Sequence, residues 1–152
     1  LMEWIVFIHV ISAVIGFGPA YAFPFILKKE KSIVEVQRTT ELVSRLEVFP
    51  KIFGTLTLLS GLLLLWLGEY GSIISIWIGG TLVLYLIAEV VIVGFLAPAA
   101  KRLSSHLAQL IDSGEILVNE ESLVLLQKVR NLHIVACAIV LIIFIFMVIK
   151  PV

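Results

Sequence analysis

Charge is scarce in this chain. Charged residues make up 14% of its 152 residues against 61% hydrophobic ones, and 11 Lys plus Arg balance 11 Asp plus Glu, leaving a net charge of zero. A chain with no net charge has no global field to draw in a polyanion, so nucleic acid is excluded as a partner. Cysteine is nearly absent too: the single one, Cys137, lies inside the last apolar run and has no partner for an intrachain disulfide. The chain also lacks HExxH, GxSxG, a P-loop and CxxCH. Zinc-protease, serine-hydrolase and nucleotide-phosphate chemistry, and covalent heme attachment, therefore have no residues to carry them.

What the chain has instead is apolar length. Its mean hydropathy of +1.14 places it in a bilayer. Hydropathy divides it into four spans, at about 4–27, 52–68, 73–97 and 132–149, each close to the roughly 20 residues that cross a ~30 Å hydrocarbon core. The second is short and must either stand upright or borrow flanking residues. The first has no basic leader and is followed by lysines, so it reads as a retained helix rather than a cleaved signal. The expected fold is all-α, a single four-helix transmembrane bundle over 1–152.

The basic residues orient it. Lys28, Lys29, Lys31, Arg38, Arg45 and Lys51 lie between spans one and two, and Lys101, Arg102, Lys128 and Arg130 between spans three and four, with Lys150 alone elsewhere. The positive-inside rule places the connections 28–51 and 98–131 in the cytoplasm and the N and C termini outside, with "GEYGS" at 68–72 as the short outer turn. Both connections read as helical extensions. Ser32 and Glu35 have the spacing of a capping box, and Leu42, Leu46 and Phe49 recur at helical spacing up to Pro50. In the second connection "SHLAQLI" continues span three, "DSGE" turns the chain, and Asn119 caps a helix that runs into span four. Such a hairpin either only connects the spans or docks a partner.

Helix association in lipid depends on close backbone approach past small residues. Gly16, Gly18 and Ala20 in span one, Gly54 and Gly61 in span two, and Gly79, Gly80 and Gly94 in span three supply them, and Pro19 kinks span one. The same features suit plain packing or a cleft for a planar cofactor.

Ionisable groups within the bilayer are the functional leads, because each costs a few kcal/mol unless it faces the bundle interior and finds a partner. His9 lies roughly 8 Å below the outer surface and Glu89 roughly 25 Å below it, about 17 Å apart along the membrane normal and too far to bond. His133, at the inner end of span four, matches Glu89 in depth, with Arg45, Lys51 and Tyr21 near the same level. The inner cluster of Glu89 and His133 is either a helix-packing pair or a proton or ion station. His9 has Ser12, Thr57 and Ser60 within reach as interhelical hydrogen-bond partners. Met147 comes to a similar depth on span four, and imidazole with thioether is a ligand pair for heme iron or for a soft copper ion.

The stretches "IHVISAVIGFGPA", "RLEVFPKIFGTLTLLSGLLLLW" and "LYLIAEVVIVGFLAPAAKRL" resemble a bacterial family of small integral membrane proteins, domain of unknown function 2269, over essentially the whole chain. That resemblance implies four helices and no assigned activity. His9 with Gly16 or Gly18 is more distantly similar to the opening helix of the J-type protoporphyrinogen oxidases and the copper-resistance D proteins, which implies heme association. The function expected from the sequence is a b-type heme membrane protein of the bacterial cytoplasmic membrane, in electron transfer or heme handling, with His9 and Met147 as ligands. The alternatives are a small-solute, ion or proton transporter or channel subunit built around Glu89 and His133, and an accessory subunit. The expected partners are lipid, and either a second copy of the chain or a larger membrane complex; enzymatic activity is left open.

Overall fold

The computed structural model describes residues 1–151 and consists of seven α-helices joined by short turns and two irregular helical segments. They are α1 (Met2–Phe17), α2 (Phe23–Ile26), α3 (Ile33–Leu46), α4 (Val48–Leu67), α5 (Ile76–Glu89), α6 (Ala97–Asp112) and α7 (Glu120–Ile149). Four continuous helical stretches are long and apolar enough to cross a membrane: Met2–Ile26, Ile33–Leu67, Ile76–Asp112 and Glu120–Ile149.

The first stretch is not one helix. It breaks at Gly18 into a 3₁₀ turn, Pro19–Ala22, before the single turn of α2. Pro19 and Pro24 both lack the N–H that would continue an α-helical ladder, so the chain tightens and bends here. Side chains tie the broken segment to α7. Tyr21 donates its hydroxyl to the Cys137 carbonyl at 3.2 Å, the Cys137 thiol reaches the Ala20 carbonyl at 3.5 Å, and Arg130 Nε donates to the Pro24 carbonyl at 2.9 Å.

The second span borrows from its flank: α4 begins at Val48, places Pro50 in its first turn, and gains 20 residues, or about 30 Å. The outer turn is longer than "GEYGS", since α5 starts only at Ile76. The third stretch carries a π-helical segment, Val90–Leu96, immediately after Glu89. Pro98 follows, and its ring would collide with the carbonyl of Gly94 in a regular helix; the wider π turn relieves that collision.

The connecting helices behave as expected in part. Asn119 caps α7, its side-chain oxygen accepting from the Ser122 N–H at 2.9 Å, and α6 with the start of α7 forms the hairpin. The capping box at Ser32 does not form. Ser32 makes no side-chain cap, and the backbone beside it instead pairs with the second connection, the Ile33 N–H donating to the Ile116 carbonyl and the Val118 N–H to the Lys31 carbonyl, each at 3.0 Å. This two-residue bridge between the connections replaces the local cap, and Glu35 pairs with Arg38 at 3.3 Å instead.

Packing divides the molecule. In the membrane, α1 lies along α4 and α5 along α7, whereas α4 and α5 scarcely touch. Gly16 sets the first pairing, since a Cβ there would stand 2.8 Å from the Phe53 Cβ and 3.2 Å from the Gly54 nitrogen. Gly80 seats the Phe146 ring in the second. At the basic end, α3, α6 and the first half of α7 close over the break in span one. There Phe23, Leu27, Ile33, Val36, Leu103, Leu107, Leu126 and Val129 are all buried in one cluster. The tightest apolar core thus sits where water can drive burial, and the lipid portion relies on small-residue contact.

Candidate functional site

His9 and the Glu89–His133 level are separate places in the structure, as their depths require. The His9 imidazole lies against α4, where Nδ1 is 2.9 Å from the Thr57 carbonyl and 3.1 Å from Ser60 Oγ. A carbonyl only accepts, so Nδ1 carries the proton and Nε2 is left with its lone pair. Gly61 makes room for the ring, since a Cβ there would come within 2.9 Å of His9 Cε1. Ser60 in turn donates to the Leu56 carbonyl at 2.7 Å. Met147 is half-buried on α7, the helix that pairs with α5 at this level, while α1 pairs with α4. Gly18 and Pro19 mark the break in span one, and Gly16 its contact with α4.

The second place is a cavity of about 780 Å³ between the two helix pairs, running from the basic end toward mid-membrane. Its back is formed by Phe17, Tyr21 and α7, one side by α4 and the other by α5 with the π segment. Glu89 and His133 both line it, together with Lys51 and Tyr21, so four residues placed at one depth by counting along the helices share one space. Arg45 does not line it.

Within the cavity the charges are unevenly matched. Glu47, which terminates α3 and precedes α4, lies 3.7 Å from Lys51 Nζ and 3.9 Å from His133 Nε2. The second distance is too long for a hydrogen bond, and the buried His133 Nε2 has no hydrogen-bond partner. The imidazole is held edge-on to the Phe23 ring, with centroids 5.3 Å apart. Among the described residues no Lys, Arg or His stands within 4 Å of Glu89. Tyr85, one helical turn before Glu89, faces the same space, as do Ile92, Val93, Leu96 and Val140 on the apolar wall. Lys101, Ser104 and Ser105 lie at its basic mouth.

Glu47, Tyr85 and Cys137 escaped sequence reasoning. The i, i+4 spacing of Glu47 to Lys51 was a usable signal, because it puts the carboxylate at the inner level with Lys51 once the helix is taken to start before Pro50. Among the described residues, no three His, Cys, Asp or Glu side chains converge to hold a metal ion.

Four apolar stretches paired through small-residue contacts define an integral membrane protein that sits in a lipid bilayer. The chain belongs to the family described as "Predicted integral membrane protein (DUF2269)", which matches residues 3–151. No curated protein and no solved structure matches it.

Proposed function

We propose that the protein is a membrane carrier subunit for an ion or small solute, with the inner cavity as its binding chamber and Glu89 as the group that takes up and releases a proton. The carrying observation is the cavity itself, lined by Glu89, a carboxylate with no basic side chain within 4 Å among the described residues, and by His133, whose buried Nε2 has no partner. A polar group held in a bilayer without a partner costs several kcal/mol, so it marks a place where a ligand or proton completes the set. Its extent supports the same reading: the lining reaches Lys101, Ser104 and Ser105 at the basic end and stops short of His9, Ser60 and Gly61, around which α1 and α4 are drawn together.

Proteoliposomes test it. Vesicles containing the protein and an entrapped pH-sensitive dye should dissipate an imposed pH gradient faster than protein-free vesicles, and Glu89→Gln should return the rate to the protein-free level. Unchanged flux in that variant would exclude Glu89 as the carrier group.

A heme reading of His9 rests on a different observation. The Nδ1–H bond to Thr57 is the outer-sphere arrangement that orients an imidazole for metal ligation through Nε2. Protein purified with a b-type heme on His9, with Met147 as the second ligand, would show a Soret band that sharpens on reduction and is altered by His9→Ala. A colourless protein that takes up no added hemin removes this reading and leaves His9 as a helix-packing residue.

A further inference from the structure

We infer that the solute taken by the cavity is a lipophilic cation, an apolar or aromatic body bearing one positive charge, that enters sideways from the bilayer between α4 and α5. The inference rests on the carrier reading above and assigns its substrate class. Charge is the first argument. Lys51 has Glu47 opposite it at 3.7 Å, so this positive group of the inner wall already has a carboxylate. Glu89 has no basic side chain within 4 Å among the described residues, and the charge missing from the deep part of the cavity is positive.

Surface is the second argument. The cavity that Glu89 lines has aromatic and aliphatic walls from Phe17, Tyr21, Tyr85, Ile92 and Val140. Aromatic faces attract a cation and gain strength where water is excluded, while the aliphatic wall accepts an apolar body that a small metal ion would leave unmet. A volume of about 780 Å³ lies within the range that holds ligands of drug size.

The route is the third. Lys101 stands toward the basic end of the cavity, and its charge disfavours a cation arriving from water. The side between α4 and α5 has no such barrier, because these helices scarcely touch and present lipid-facing Leu56, Leu59, Val83, Leu86 and Val90 along their length. A cation already partitioned into the bilayer therefore reaches Glu89 laterally.

The experiment uses two ions of matched shape and opposite charge, tetraphenylphosphonium and tetraphenylborate, with the full chain in detergent. Binding is read by equilibrium dialysis. Its location is read by alkylation of Cys137, the sole cysteine, which lines the cavity. Tetraphenylphosphonium should bind and slow Cys137 alkylation. Glu89→Gln should weaken binding at least about tenfold, and Glu89→Asp, which keeps the charge, should retain it. Tetraphenylborate should do neither. Equal binding of the two ions, or tetraphenylphosphonium binding indifferent to Glu89→Gln, overturns the cation assignment while leaving the cavity as a site of another specificity. If neither ion binds or protects Cys137, the inference fails together with the chamber it depends on.

Discussion

Phe23→Ala is expected to destabilise the protein by about 3–5 kcal/mol, the range for emptying a large aromatic site in a core that cannot collapse around it. Phe23 is 1% exposed. It sits where the broken first span meets α7, edge-on to His133 at an interplanar angle of 78°. Its neighbours in the basic-end cluster come from α3, the π segment, α6 and α7, so no single helix can move to fill the space. Two residues on, Phe25 is 78% exposed, and Phe25→Ala should change stability by no more than about 0.5 kcal/mol. The pair shares residue type and local chain, so the contrast isolates burial. Thermal unfolding of both variants in detergent is the measurement, and equal losses would mean that the basic-end core does not support the fold. Because Phe23 also holds the His133 ring, the same variant should loosen the cavity wall and speed alkylation of Cys137.

The division between membrane and basic end explains which features the sequence discloses. Hydropathy is read within one window of sequence, so the four crossings and the shared side of both termini follow from it directly, and the α6–α7 hairpin follows from the local "DSGE" turn. The cap of α7 is equally local, with Asn119 and the N–H it satisfies only three residues apart. Depth is legible as well, because a helix rises a fixed amount per residue, and counting alone puts Glu89 and His133 at one level. Features that depend on a distant segment are not legible. Ser32 and Glu35 satisfy every local requirement of a capping box, but Ser32 forms a bridge to Leu117, far along the chain, and Glu35 pairs with Arg38. The π segment hides in a run, "VVIVGFL", whose apolar pattern is compatible with an ordinary helix, and only Pro98 beyond it hints at a widened turn. Glu47 reads as part of a connection until α4 is seen to begin at Val48, which turns it toward His133.

The lipid-embedded half makes its own large prediction, at the α1–α4 contact. Gly16→Ala should cost about 1–3 kcal/mol, the usual result of forcing extra volume into a packed contact. The added Cβ would lie 2.8 Å from Phe53 Cβ and 3.2 Å from the Gly54 nitrogen, and neither atom is the flexible end of a side chain. The helices must separate, and in lipid no hydrophobic force draws them back. Separation also lengthens the His9 contacts with Thr57 and Ser60, since both acceptors are on α4. Gly94→Ala is the matched comparison. Its new Cβ would have only Val90 Cγ1 nearby, at 3.9 Å, so it gains helix propensity of up to about 1 kcal/mol without a collision. The two substitutions are chemically identical and should differ in sign. Should Gly16→Ala prove as stable as the parent, α1 and α4 are held by something other than close approach. If the expected loss appears, then Gly61→Ala should reproduce part of it by displacing His9, whose Cε1 lies 2.9 Å from the new methyl position, and so show that the His9 contacts belong to the same packing of α1 on α4.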